Sequence, residues 1–154
     1  MNQRIRPIIQ TDIDALKRVL DSSELFPSEY LEEMISDYFN NAETQDIWFT
    51  CLANDKPVAI GYCVPEKFTD GTYNLLAIGV AKDSQRNGIA SEMMKYIEQR
   101  LKNKDGRILI VETSSDDAQI GARHFYKQID YIIEAIIRDF WKDGEDKIVF
   151  WKKL

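Results

Sequence analysis

Histidine and cysteine are scarce in this chain of 154 residues, and their scarcity excludes several kinds of catalysis. His124 is the single histidine, and the two cysteines, Cys51 and Cys63, do not form a Cys-x-x-Cys pair. A zinc site of His and Cys ligands needs three or four such residues, and triad mechanisms need a suitably placed histidine. We therefore expect no metal site, a His124 without a role, and two buried, reduced thiols.

Long apolar segments are also missing. The N-terminal sequence has two arginines but no apolar region like that of a signal peptide, and the longest uncharged apolar-rich segment, Leu75–Ala81, is much shorter than a membrane span. We therefore expect a cytoplasmic protein without membrane contact. With 44% hydrophobic and 30% charged residues, the composition is that of a globular chain. The length predicts a single domain over residues 1–154.

Positive charge is absent from one long segment. Between Asp21 and Asp46 there are eight carboxylates and no Lys or Arg, whereas Lys82–Lys104 has six cations and three carboxylates. The formal net charge of −6 opposes affinity for phosphate backbones, so nucleic acid is not an expected partner. The two segments predict an electrostatically polarised molecule.

The pattern of apolar and polar residues predicts an α/β (α+β) chain of order βααβββαβαββ. Thr11 is expected to cap the first helix, and Ser28 the second. The strand–helix–strand portion predicts a parallel pair at the middle of the sheet, and its apolar strands are expected to be covered on both faces. The predicted strands are Arg4–Gln10, Ile47–Ala53, Pro57–Val64, Thr72–Ala81, Arg107–Thr113, Tyr131–Trp141 and Lys147–Leu154. The predicted helices include Asp12–Leu20 and Asp116–Ile129, a second after Ser28, and a third with apolar positions Ile89, Met93, Met94, Ile97 and Leu101.

The junction between the strand Thr72–Ala81 and the third helix is the most informative segment. Residues 80–91 read VAKDSQRNGIAS. Backbone N–H groups at a helix start point outward without partners, and the helix dipole is positive there. Gly88 permits close approach, and Arg86 adds a charge that can bind phosphate. Because neither the Walker pattern nor Gly-x-Gly-x-x-Gly is present, the segment predicts a pyrophosphate site of another kind.

Two motifs resemble those of the GNAT superfamily of N-acetyltransferases. The segment Gln85–Ala90, QRNGIA, resembles the acetyl-CoA loop, Gln/Arg-x-x-Gly-x-Gly/Ala, and Ala122–Tyr126, ARHFY, resembles the downstream Ala-x-x-Phe/Leu-Tyr. The element order is similar to the GNAT fold over essentially the whole chain. This resemblance implies a mixed sheet of about seven strands with four helices. It also implies acetyl-CoA as a cosubstrate that leaves as coenzyme A, and no metal.

The resemblance also implies which residues contact coenzyme A. Backbone groups of the strand residues Ile78–Val80 would hold the pantetheine arm, and the amides of Arg86–Ser91 would bind the pyrophosphate. Gln119 stands where many members have an Asn that contacts the arm, and Asp130 where they often have Gly. The implied cofactor-binding residues are Ile78, Gly79, Val80, Gln85, Arg86, Asn87, Gly88, Ile89, Ala90, Ser91, Gln119 and Tyr126.

Catalytic roles follow from the same resemblance. Tyr126 would act as the general acid for the departing thiolate. Asn74 stands where histone-type members have a glutamate base, whereas Glu112 resembles the base of ribosomal-protein N-terminal acetyltransferases, although it precedes the Tyr by fourteen residues instead of twelve. Glu112 also ends an apolar strand, where a carboxylate is costly without a purpose. Two alternatives stay open: Glu112 faces water beyond the covered strand, or a chain of waters accepts the proton.

These inferences predict acetyl transfer to a primary amine of a small molecule, peptide or protein. The alternative is a non-catalytic acyl-CoA-binding or protein-interaction domain of the same fold. The acidic segment Asp21–Asp46 falls where the acceptor is expected, which makes a cationic amine a hypothesis, with solvated helix faces as the other explanation. An exposed sheet edge near the C-terminal hairpin leaves a homodimer open.

Overall fold

The computed structural model describes residues 3–154, which form a seven-stranded sheet and four helices. Along the sheet the strand order is β1-β2-β3-β4-β5-β7-β6, and every neighbouring pair is antiparallel except β4 and β5. The strands are β1 (Gln3–Pro7), β2 (Ile47–Ala53), β3 (Lys56–Pro65), β4 (Thr72–Val80), β5 (Ile108–Ser114), β6 (Ile132–Lys142) and β7 (Glu145–Lys153). The helices are α1 (Ile13–Ser23), α2 (Leu31–Asn40), α3 (Ile89–Lys102) and α4 (Ile120–Gln128). The predicted element order and the central parallel pair are confirmed.

Two apolar clusters fix the helices on opposite faces of the sheet. On one face, α1 and α2 pack Leu16, Leu20 and Ile35 against Trp48. On the other, α3 and α4 pack against the sheet, and all five predicted apolar positions of α3 are buried. Since burial of apolar surface is the main stabilising term in folding, each helix is held by its apolar face.

The central strands β4 and β5 pair over only part of their length. Residues Thr72–Leu75 pair with Ile108–Val111, and no pairing between the two strands follows. Leu76 is an extra residue in β4, because Leu75 pairs with Cys63 and Ala77 with Tyr62. A bulge bends its strand, so β4 turns away from β5 at this point. The edge of β4 that faces β5 is therefore open over residues 76–80.

The first two helices begin later than their predicted caps. Residues Gln10–Asp12 form a 3-10 turn, so β1 ends at Pro7 and Thr11 is not the cap of α1. Asp12 takes that place, but its buried carboxylate caps no N–H group of α1 and instead accepts hydrogen bonds from the Ile9 N–H and from Arg6. Ser28 likewise lies in a 3-10 turn and makes no capping hydrogen bond, so α2 begins at Leu31.

Burial of the last strands differs from the prediction. In β5 only alternate residues are fully buried, so the expectation that this strand is covered on both faces is wrong. Trp141 of β6 is 47% exposed, although tryptophan side chains are highly buried on average. The two cysteines are free and buried, as predicted. Among the described helices, none has the length and apolarity needed to cross a bilayer.

Asp12 links the end of β1 to the start of α1. Its carboxylate oxygens accept hydrogen bonds from the Arg6 guanidinium at 2.7 and 3.0 Å and from the Ile9 N–H at 2.9 Å. Burial by itself would raise the pKa of Asp12, but these hydrogen bonds and the Arg6 charge outweigh it and lower the pKa below its ordinary value.

Replacing Asp12 with Asn should lower the free energy of unfolding by about 2 kcal/mol at pH 7, because Arg6 loses its charged partner. Since the folded-state pKa is the lower one, the contribution is present above the unfolded pKa of about 4 and is lost as the pH falls through the folded value. Urea unfolding at neutral and acid pH measures this loss. Asp14→Asn, in the exposed part of the same turn, is the control. Equal losses in the two variants would contradict the role of Asp12.

Candidate active site

A cavity of about 730 Å³ opens where β4 leaves β5. Its walls come from the end of β4, the loop that leads into α3, one side of α4, and the linker between α1 and α2. The lining includes every predicted cofactor-binding residue except Asn87 and Gln119. The structure therefore brings ten of the twelve predicted residues together around one space.

The loop before α3 is held in shape by its own side chains. The Gln85 amide donates a hydrogen bond from Nε2 to the Val80 carbonyl oxygen at 3.0 Å, and Asn87 Nδ2 donates to the Ser84 carbonyl at 3.3 Å. Arg86 and Gly88 both have left-handed backbone conformations, with φ of 65° and 76°. At Gly88 this conformation costs little, because glycine has no Cβ.

The end of this loop is suited to bind an anion. Within the described part of the chain, the backbone N–H groups of residues 86–91 have no protein acceptor, and the first helical hydrogen bond is Glu92 N–H to Gly88 O at 3.1 Å. A Cβ at Gly88 would meet nothing within 4 Å. Of the described residues that line the cavity, Arg86 is the only charged one. Free amides, positive charge and open space together match the needs of a pyrophosphate.

The rest of the cavity has a backbone edge on one side and an apolar helix on the other. Ile78 and Val80 pair with β3 through one edge of β4, while their other edge is open. The opposite wall contains Gly121, Ala122 and Phe125 of α4. An extended chain with amide groups, such as a pantetheine arm, could add hydrogen bonds to the open edge and pack on this helix.

Tyr126 lies at the inner end of this wall. It is only 4% exposed, and its ring contacts those of Phe125, Tyr131 and Phe150 at centroid distances of 5.3, 5.8 and 5.4 Å. Burial raises the pKa of Tyr126 above its ordinary value. Its hydroxyl has no hydrogen-bond partner among residues 3–154, although the side chain lines the cavity. The phenol therefore keeps its proton and has a free donor.

Glu112 lies on the other face of the sheet. Its neighbour Val111 packs into the cluster under α3 and α4, so strand alternation places Glu112 on the face that α1 and α2 cover. Its Oε1 accepts a hydrogen bond from Asn74 Nδ2 at 2.7 Å, and its Oε2 forms an ion pair with Lys147 Nζ. The same Asn74 nitrogen donates to Glu66 Oε1 at 2.8 Å. One amide therefore bridges two carboxylates.

Aromatic rings of β6 complete the surroundings of Glu112. The Lys147 ammonium lies 4.2 Å from the Phe140 ring centroid and 6.0 Å from that of Trp141, which are distances of cation–π contact. Trp141 Nε1 donates to the Thr113 carbonyl at 3.2 Å. Trp141 therefore lies beside Lys147 and Thr113, near the Glu112 carboxylate, and is not part of the core.

Several of these functional candidates were missed by sequence reasoning. Glu66, Lys147 and Phe140 belong to three different strands or loops, and nothing in their local sequence pattern pairs them with Glu112. Asn74 had a signal, because it is a polar residue in an apolar strand. The family resemblance indicates only that Asn74 stands in the place of a glutamate base. In the structure, its side-chain amide donates a hydrogen bond to Glu112.

Some residues singled out in the sequence lie elsewhere. Gln119 is exposed at the residue before α4, and His124 is exposed on that helix. Asp130 has φ of 72°, a left-handed conformation that glycine adopts at the least cost. In the acidic segment, Glu32 forms an ion pair with Lys17 of α1.

One carboxylate of the acidic segment is partly buried at the sheet. Asp46 accepts a hydrogen bond from the Tyr62 hydroxyl at 3.3 Å, and the Tyr62 ring stacks on Trp48 with 3.9 Å between centroids. Burial raises the pKa of Asp46. Trp48 and Tyr62 lie in the cluster under α1 and α2, so Asp46 belongs to the same face as Glu112.

Comparison with known proteins agrees with the fold of this chain. The chain superimposes on a GNAT-family protein from Desulfovibrio desulfuricans with a TM-score of 0.92 and 23% identity, over 99% of both chains. It superimposes on the ribosomal-protein-S18-alanine N-acetyltransferase of Escherichia coli with a TM-score of 0.77 and 18% identity, over 99% of this chain and 94% of that one.

A third similar structure was solved with acetyl-CoA bound to it. A GNAT family acetyltransferase from Elizabethkingia anophelis with acetyl-CoA bound has a TM-score of 0.76 and 20% identity, over 99% of both chains. No curated protein matches this chain in sequence. The family model described as "Acetyltransferase (GNAT) family" matches residues 14–131, which is most of the chain. The protein therefore belongs to the GNAT family of acetyltransferases.

Proposed function

We propose that this protein transfers an acetyl group from acetyl-CoA to a primary amine. The observation that carries the proposal is the opening between β4 and β5, with a buried proton donor on one side and a held carboxylate on the other. Two reactants could therefore meet through the sheet, one from each face. A direct transfer needs this arrangement, because both must be bound at the same time.

Acetyl-CoA fits the cavity on the side of α3 and α4. The amides of Arg86–Ser91 and the Arg86 guanidinium would bind its pyrophosphate, and the open edge of Ile78–Val80 would bind its pantetheine arm. When bound, it supplies an acetyl group as a reactive thioester. Gln119 would take part only through a shift of the start of α4, since it does not line the cavity.

Glu112 and Tyr126 would handle the first proton that the ammonium loses and the proton that the departing thiolate gains. The second proton that the nitrogen loses, as the amide forms, would restore the phenol of Tyr126. An alkylammonium has a pKa of about 10 and must lose a proton before it can attack. Glu112 would accept that proton, directly or through a water, while Asn74 and Lys147 fix its carboxylate in place. Tyr126 would donate to the sulfur that departs from the other side. It is suited to this because burial keeps it protonated.

The surroundings of Glu112 favour a cationic acceptor. Glu66 lies one hydrogen-bonded amide away from Glu112, and Asp46 lies on the same face. Glu24 and Glu29 are exposed in the linker before α2 and could add to this potential, whereas Glu32 is already paired with Lys17. The acceptor would be a small amine or the amino group of a peptide or protein.

A turnover screen tests the proposal. Purified protein and acetyl-CoA are combined with polyamines, aminoglycosides, amino acids and N-terminal peptides, and released coenzyme A thiol is measured. We expect release with a subset that carries positive charge beyond the reacting amine. Stabilisation by coenzyme A without thiol release from any amine would contradict catalysis and indicate a binding domain. Preference for anionic acceptors would contradict the proposed charge selection.

Gly88→Ala tests the pyrophosphate site. The left-handed backbone at Gly88 should cost the variant about 1 kcal/mol of stability, and its methyl group enters the space beside the free amides. Gly144→Ala is a matched control, because Gly144 has φ of 83° and equally open surroundings in the β6–β7 turn. We expect similar losses of Tm but about tenfold weaker coenzyme A binding only in Gly88→Ala. Equal affinity in the two variants would contradict the site.

Tyr126→Phe tests the proton donor. Loss of the hydroxyl should lower kcat about 100-fold, the lower range for general acid catalysis, and change the Kd for coenzyme A by less than about twofold. Tyr96→Phe is the control, since its hydroxyl contacts Arg100 on α3, away from the cavity. An unchanged kcat in Tyr126→Phe would remove Tyr126 from the mechanism.

Glu112 and its ammonium partner can be tested together by steady-state kinetics. Glu112→Gln should lower kcat about 100-fold. Lys147→Met should also lower kcat, by a smaller factor, because the Glu112 carboxylate loses the ion pair that fixes its position. Lys152→Met is the matched control and should keep the wild-type kcat, as Lys152 also lies on β7 but pairs with Glu98 and the Tyr131 ring. An equal loss of kcat in both lysine variants would contradict the role of Lys147, and an unchanged kcat in Glu112→Gln would contradict the assignment of Glu112 as base.

A further inference from the structure

The edge strand β6 is apolar and uncovered. All eleven of its residues are exposed, yet six of them are large and apolar, and each of these is 39% to 60% exposed. They are Ile132, Ile133, Ile136, Ile137, Phe140 and Trp141. One edge of β6 pairs with β7, and the other has no partner among residues 3–154. An apolar edge of this kind is a site for pairing with another strand, and folded proteins normally cover or charge it.

The sequence of β6 is complementary to itself around Ile136. In an antiparallel pair of two copies with a twofold axis at Ile136, Glu134 of each copy lies opposite Arg138 of the other. Between these charges, Ala135 lies opposite Ile137, and Ile136 lies opposite its own equivalent. The symmetry produces each contact twice. Two pairs of unlike charge therefore enclose an apolar centre.

The charges also select this register from its neighbours. With the axis at Ala135, Arg138 lies opposite Ile132, and with the axis at Ile137, Glu134 lies opposite Phe140. Neither alternative sets unlike charges against each other. Within the described chain, neither Glu134 nor Arg138 forms an ion pair, so both are available to a partner.

The local backbone limits the pairing to the centre of the strand. The register between β6 and β7 shifts between Ile133 and Ala135 and again after Ile137. Asp139 has φ of 55° and binds the turn through the Gly144 N–H at 2.9 Å, so regular strand geometry ends there. The segment in regular register is therefore Ala135–Ile137, and Glu134 and Arg138 flank it at its two ends.

We propose that two copies of this chain form a homodimer through antiparallel pairing of β6, centred on Ile136. The sheet then continues from one copy into the other, and the exposed isoleucines of each copy pack against those of its partner. This inference does not depend on the acceptor or on the roles of Glu112 and Tyr126. It rests on the exposed edge, its apolar residues and its charge pattern.

Charge reversals in purified protein test both the interface and its register. The molar mass is measured by sedimentation velocity over a range of concentrations. Wild type should be a dimer. Glu134→Arg and Arg138→Glu each set like charges opposite each other twice, and each should raise the dimer Kd about tenfold or more. Ile136→Lys should be monomeric, because two ammonium groups would meet on the axis.

Mixing the two charge-reversal variants distinguishes the proposed register from a general disruption of the β6 edge. In a mixture of Glu134→Arg with Arg138→Glu, every facing pair has unlike charges again, so heterodimers should form with a Kd near that of wild type. The double variant should also recover. Glu29→Arg, on an exposed residue of the linker before α2, controls for net charge. A monomeric wild type, single reversals that dimerise like wild type, or a mixture that stays monomeric while Tm is unchanged would each overturn the proposal.

Discussion

The early end of pairing between β4 and β5 is the constraint on which the rest of the site depends. Parallel neighbours normally satisfy each other's backbone groups along their whole length, and a strand edge left open inside a protein needs another partner. The extra residue Leu76 bends β4 away after Leu75. It thereby exposes the edge of Ile78–Val80 and directs the end of β4 into the loop with the free amides. One bulge therefore opens the strand edge and positions the loop, and both line the same cavity.

The two faces of the sheet give the two proposed catalytic groups opposite environments. Tyr126 is surrounded by aromatic rings, and this apolar burial disfavours the phenolate. Glu112 has an ammonium and an amide within contact, and such partners offset the cost of partly burying a carboxylate. A donor that stays protonated and a carboxylate that has partners thus lie on opposite faces of the sheet.

Local chemistry explains how much of this was predictable from the sequence. The apolar face of α3 and the start of that helix after Gly88 depend on residues that are close in the chain, and both are found as predicted. The contact between Asn74 and Glu112 spans 38 positions and depends on the register of β4 with β5, which no local pattern encodes. Apolarity likewise indicates only a preference for burial, and the position of a strand in the sheet decides whether cover exists, as the exposed Trp141 of the edge strand β6 shows.

The position of β6 connects its open edge to the chemistry beside Glu112. Lys147 is held from one side by the Glu112 carboxylate and from the other by the Phe140 ring of β6. Trp141, the next residue of β6, is tied to the Thr113 carbonyl, one residue beyond Glu112. A strand with one free edge is less constrained than a strand paired on both sides. Pairing of the centre of β6 with a second copy would therefore restrict the segment that carries both rings, and with it the space that the Lys147 ammonium can occupy around the carboxylate.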